Sequence, residues 1–131
     1  MKRAYSDRFT AIPAMILEID VFAHATARKA RLLAKVDTGA DLTVVPLHLI
    51  KDLRLVEFGR CNVHTVNHDP YTAPTYRADV VIDNAKFGAL TVVAHRKPYI
   101  LLGRDVLNQL ILIADGPSET FELVSSKSKP Q

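Results

Sequence analysis

Two stretches of this chain carry residues that could do chemistry. In the first, Val36-Asp37-Thr38-Gly39-Ala40, an acidic residue follows directly on an apolar run, Ala30 to Val36, that reads as a strand. A carboxylate at the end of a buried strand is costly unless it is hydrogen-bonded or put to use. Thr38 can hydrogen-bond to neighbouring backbone, and Gly39 opens a turn conformation closed to residues with a Cβ. Such a loop would hold Asp37 rigidly and leave main chain exposed to a ligand. Taken alone, the three residues are equally compatible with an Asx-type turn between two strands.

The second stretch is Ile100-Leu101-Leu102-Gly103-Arg104-Asp105, an apolar run that stops at glycine before helical spacing at Val106, Leu107 and Leu110. In order and spacing the two stretches resemble the signatures of the retropepsin-like aspartic proteases, the single-domain family that includes the retroviral proteases. There one apolar strand leads into Asp-Thr-Gly-Ala and a later one into Gly-Arg-Asp or Gly-Arg-Asn before a helix. The likeness covers residues 12–124 and is greatest to bacterial aspartyl-protease-like proteins of this size.

The resemblance implies a role for each matched residue. Asp37 corresponds to the catalytic aspartate, Thr38 to the residue whose hydroxyl interlocks the two loops of a dimer, and Gly39 to the position whose backbone meets substrate. Ala40 and Asp41 fall beside the substrate, and Arg104 corresponds to the arginine that pairs with Asp41. An arginine fork suits a carboxylate bidentately, and the pair is open to a structural or a binding role. Gly103 and Asp105 are expected to support the loop. The hairpin from Cys61 to Arg77 falls where the family has its flap, so Val66 and Asn67 at its turn are expected to touch substrate.

The implied activity is an aspartic endopeptidase with neither metal nor organic cofactor. Two carboxylates held close together cannot both ionise cheaply, so they share a proton, as aspartic-protease dyads in general do. The ionised partner activates water, and the protonated one stabilises the developing oxyanion. The chain has one Asp-Thr-Gly and no internal duplication. A working dyad therefore needs a homodimer with the site on its twofold axis. The alternative from another class is a catalytically inactive peptide-binding or scaffold module on the same fold.

Two features depart from the retroviral pattern. Retroviral flaps are glycine-rich at the tip, whereas Asn62 to Arg77 contains no glycine and holds Pro70 and Pro74. Retroviral chain ends interleave in a shared sheet, whereas this chain closes on a hairpin and a polar tail, leaving open whether Glu119 to Val124 pairs across an interface or within its own chain. His64 and His68 flank the flap turn but have no clear third metal ligand, and His24, His48 and His95 form no constellation. No nucleophile motif supports Ser-His-Asp catalysis.

The elements that must position Asp37 are mostly strands. Met15, Leu17, Ile19 and Val21 alternate with polar residues in Pro13 to Phe22, the period of a half-buried strand. Thr43 to Val45 continues as a short strand, and a short helix is expected from Pro46 to Asp52. Arg60 to Val66 and Tyr71 to Ile82 read as strands joined at Asn67-His68-Asp69-Pro70, followed by Phe87 to Ala94. A last hairpin joins Leu110–Ala114 to Glu119–Val124 through Asp115-Gly116-Pro117-Ser118. The expected fold is mostly β, a retropepsin-like half-barrel with one or two short helices. The expected domain is residues 10–124, between a polar arm (1–9) and a frayed polar tail (125–131).

Composition agrees with a single packed domain: 131 residues with 48% hydrophobic side chains can bury one core. The net charge of +3 is small and lies partly at the ends, with no basic stripe, so nucleic acid is not an expected partner. No apolar run approaches the roughly 20 residues of a bilayer span, so a membrane is not expected either. With a single cysteine, Cys61, and no apolar segment behind Met1-Lys2-Arg3, a cytoplasmic protein is expected.

Overall fold

The computed structural model describes residues 1–125. In chain order its elements are β1 (Lys2–Ala4), β2 (Ile16–Ala23), β3 (Lys29–Val36), β4 (Val44–Pro46), α1 (Leu47–Asp52), β5 (Glu57–Val63) and β6 (Tyr71–Ile82), then β7 (Ala85–His95), β8 (Ile100–Leu102), α2 (Arg104–Leu107), β9 (Leu110–Asp115) and β10 (Thr120–Ser125). The mostly-β expectation holds, with two short helices. No helix among the described residues is long and apolar enough to cross a membrane.

The larger sheet runs β2-β3-β8-β4-β7-β6-β5, and β2 also pairs with β6. That extra pairing closes six strands into a ring and leaves β5 outside it. Closure follows from alternation: Leu17, Ile19 and Val21 of β2 and Val80 and Ile82 of β6 all point inward, and inward faces of neighbouring strands bury each other. Val36, Val45, Val92, Ile100, Leu102 and Val106 complete the core. One edge of β6 is shared by two partners in succession: β5 along Tyr71–Tyr76 and β2 along Ala78–Val81. Arg77 stands at the changeover, and the β5–β6 hairpin extends beyond the ring.

The smaller sheet, β1-β10-β9, is antiparallel and entirely intrachain. Within the chain β10 pairs with β9 along Thr120–Ser125 and with β1 over Thr120–Glu122. Phe121, almost fully buried, packs against Tyr5 with ring centroids 6.1 Å apart. The first nine residues are more than a polar arm: β1 is a strand, Ser6 and Ala14 bridge, and Phe9 stacks on Tyr99 at 4.4 Å. The expected frayed tail lies outside the described residues, apart from Ser125, which ends β10.

Other differences are local. α2 is a single turn, Arg104–Leu107, so Leu110, whose spacing suited both that helix and the last hairpin, belongs to the hairpin and begins β9. Pro46 closes β4 and precedes α1 instead of entering it. The first flap strand spans Glu57–Val63 rather than Arg60–Val66, so Val66 lies in the connection. Exposed residues along β5 hid its start, since this strand outside the ring buries little on either face.

Candidate active site

Asp37 is positioned by a parallel strand pair. β3 and β8 run side by side with Val36 opposite Leu102, so Asp37 and Gly103 leave the barrel together. The Asp37 amide donates to the Leu102 carbonyl at 3.0 Å, and the Val36 amide to the Met15 carbonyl at 2.9 Å. The loop then turns on itself: the Ala40 amide donates to Asp37 O at 3.2 Å, and the Gly39 amide to Asp37 Oδ1 at 3.0 Å. The half-buried carboxylate is aimed by its own loop and still reaches solvent. Thr38, Gly39 and Asp41 are exposed around it.

Gly39 does not act as its type suggested. No glycine among the described residues has a positive φ, so the loop uses no left-handed turn there. A side chain at Gly39 would instead lie 3.3 Å from Asp37 Oδ1, crowding the carboxylate its amide holds. Gly103 answers a harder demand: a Cβ there would fall 2.6 Å from the carbonyl carbon and oxygen of Leu42 and 2.9 Å from the Thr43 nitrogen. The two motif loops touch backbone to backbone, and only glycine leaves the room.

Arg104 and Asp105 brace this contact from its outer and inner sides. The Arg104 amide donates to the Ala40 carbonyl at 2.8 Å. Its guanidinium splits, Nη1 donating to the Thr38 carbonyl at 2.9 Å and Nη2 pairing with Asp41 Oδ1. The expected bidentate fork on Asp41 is therefore corrected: one arm is spent on backbone. Asp41 is 84% and Arg104 44% exposed, so the ion pair itself adds about 1 kcal/mol at most. The bond to the Thr38 carbonyl is what ties the side chain to the loop.

Asp105 supports the site through Thr43, which was not singled out in the sequence. Asp105 Oδ2 accepts from the Thr43 amide at 3.0 Å, and Oδ1 from the Thr43 hydroxyl at 2.8 Å and the Val106 amide at 2.9 Å. The Thr43 oxygen in turn accepts from the Gly103 amide at 3.2 Å. Thr43 is fully buried, so each partner matters, because an unmade buried hydrogen bond costs its whole desolvation. The available signal was a lone hydroxyl inside the apolar run Leu42 to Val45.

The flap residues are not brought to Asp37 within one chain. Val66 is 85% exposed and Asn67, with φ 73°, occupies the turn beside it, so both stand in solvent. His64 and His68 are exposed on the same connection, and no group of three or more His, Cys, Asp or Glu capable of holding a metal occurs among the described residues.

A buried carboxylate lies outside the loop. Asp79, 3% exposed, accepts from the Ala89 amide at 2.7 Å and from His24 Nδ1–H at 2.8 Å, with Lys86 Nζ 3.9 Å away. It sits where the β6–β7 register slips between Ala78 and Val80 and where Ala89 takes a φ of 55°. Burial alone would raise its pKa, but the Ala89 amide, the His24 ring and Lys86 outweigh it and hold the carboxyl below its ordinary value.

No family model matches the chain, and no curated protein matches it. Solved structures do. A retropepsin-like aspartic protease from Rickettsia conorii aligns over 94% of this chain and 88% of its own, with a TM-score of 0.63 at 18% identity. The fold is retropepsin-like. The simian foamy virus protease aligns over 72% of this chain and 92% of its own, with a TM-score of 0.53 at 24% identity. The retroviral protease-like domain of Ddi1 from Leishmania major covers 83% of this chain at 13% identity and a TM-score of 0.50. At these identities the shared feature is the retropepsin-like architecture, and the chemistry is argued from this chain's own residues.

Proposed function

We propose that the chain is an aspartic endopeptidase whose site is completed by a second copy, each copy supplying one Asp37. The observation that carries this reading is the seating of Asp37 at the end of β3, tied to β8 by the Leu102 carbonyl and aimed by the Gly39 amide. The loop is fixed on every side, yet the carboxylate keeps access to solvent. That is the arrangement a water-activating group requires, since a productive geometry must be held before substrate arrives.

In the dimer the two Asp37 carboxylates share one proton. The ionised one takes a proton from water as it attacks the scissile carbonyl, and the protonated one donates to the forming oxyanion. Proton transfer to the nitrogen then lets the amine leave. Thr38, exposed beside Asp37, is the contact to the twin loop, and Gly39, Ala40 and Asp41 line the path of an extended peptide with Val66 and Asn67 of the flap above. Gly103, Arg104 and Asp105 position the loop. Substrate is a peptide or protein, and on composition alone we take the cytoplasm as the setting.

Cleavage of a broad peptide library at mildly acidic pH, measured against protein concentration, tests this. Activity should rise more steeply than in proportion to protein, and Asp37→Asn should lower it by about 10²–10⁴-fold or more with no change in melting temperature. A folded dimer that cleaves nothing would make the chain a binding module. A monomer at every accessible concentration would remove the dyad, and cleavage indifferent to Asp37→Asn would remove the site.

A further inference from the structure

Where β6 changes partner from β5 to β2, the structure has a small hollow of about 210 Å³. Ala23, Leu55, Val56 and Phe58 give it an apolar wall, and His24, Arg28, Arg54 and Arg77 stand around it. It lies far from Asp37. Ile16, beside the end of β3, and Ala23, at the hollow, are opposite ends of β2, about 23 Å apart along an extended strand.

Its charge is unbalanced. His24 is taken up by Asp79, but none of the three arginines pairs with a carboxylate among the described residues. Arg28 spends only Nε, on the Leu53 carbonyl at 3.0 Å, and Arg77 lies over the Phe58 ring at 4.3 Å. Arg54 has a φ of 52°, a conformation in which glycine or asparagine would sit at ease. A long cation is kept there at a conformational cost. Val56 is 70% exposed and Phe58 is also exposed, so apolar surface and cations without a carboxylate partner share one patch.

We propose that this hollow is a docking site for a polypeptide segment in which one large apolar side chain is flanked by carboxylates. The volume falls below the roughly 300 Å³ at which small-molecule sites begin and suits one inserted side chain. The arginine forks around it match carboxylates on either flank. Nucleic acid fits less well, because the cations ring one apolar hole instead of following a phosphate track. The free edge of β5, next to Phe58, gives an extended segment a strand to lie along. The site does not depend on the proteolytic reading.

The test uses the full chain carrying Asp37→Asn, so that binding is read without cleavage. Fluorescein-labelled Gly-Asp-Glu-Phe-Glu-Asp-Gly is titrated by fluorescence polarisation, beside the same peptide with alanine for phenylalanine and with lysines for the acids. The acidic phenylalanine peptide should bind saturably and at least tenfold tighter than either control. Arg54→Asn, which suits the backbone there, should weaken it about tenfold, whereas Arg28→Lys should retain most of the binding. Absence of binding, equal binding of the lysine or alanine peptide, or indifference to Arg54→Asn would each overturn the proposal. Displacement by a single-stranded oligodeoxynucleotide at equal concentration would overturn it too, in favour of a nucleic-acid surface.

Discussion

The mouth of the barrel and the flap are built on opposite principles. At the mouth, β3 and β8 lie parallel, Gly103 meets Leu42 without room for a methyl group, and the Thr43–Asp105 network joins the two loops from inside. The flap is one antiparallel pair whose outer strand is exposed along most of its length and whose tip carries the bare Val66. One region is over-determined by hydrogen bonds and contact; the other is held only at its base, where β6 belongs to barrel and hairpin alike. Under the proposed function, Asp37 meets the reacting atom on the first kind of support and an extended chain enters past the second.

The largest expected effect on this contrast is Gly103→Ala. Its methyl group has backbone in its way, so we expect a loss of about 1–3 kcal/mol in chemical denaturation and a displaced Asp37 loop. An unchanged melting curve would mean that the two loops are not so tightly joined. Thr43→Val keeps the shape but strips Asp105 and the Gly103 amide of a partner, with an expected cost of about 1–3 kcal/mol. Hydrogen exchange should speed up at the Asp37 and Gly103 amides while the flap amides stay as they were.

Acidity should weaken the barrel. His95, opposite Pro46 in the β4–β7 pairing, has its pKa depressed mainly by burial, against the opposing effect of the Tyr99 carbonyl that its Nε2–H meets at 2.6 Å. A depressed folded pKa gives stability that is complete above the unfolded value of 6.5 and falls as pH drops through the folded value. Asp79 follows the same sign lower down, losing its contribution as pH falls from 3.8 through its folded value. Denaturant midpoints should therefore drop between neutral pH and mild acid, and His95→Gln should flatten that slope. The smallest effect is expected from Asn67→Gly at the flap turn: within about 0.5 kcal/mol in stability, with any change confined to KM.

What the sequence showed and what it hid divide along the same line. Asp37 and Gly103-Arg104-Asp105 were legible because apolar runs lead into them and their order is distinctive. Among the barrel strands, β2 was legible from alternation, since one of its faces is buried, and β3 and β8 from their apolar runs. Thr43 escaped notice because its reason, Asp105, lies 62 residues away, and Asp79 because His24 lies 55 residues away. The reason for Gly103 was equally hidden: the demand is for space against another loop, which no local preference reveals. β5 was misplaced because a strand outside the barrel has little alternation to read.

The parallel pairing of β3 with β8 also sets when the site can exist. The carbonyl that seats Asp37 belongs to Leu102, and the brace behind it to Asp105, both about half the chain later. During synthesis Asp37 emerges early into a loop without an anchor, and the intervening strands must close before the long-range bond can form. A chain cut short before residue 102 would carry the Asp-Thr-Gly sequence and lack its seat. The order of the two motifs along the chain thus acts as a timer, withholding an aligned carboxylate until nearly all of the barrel has been made.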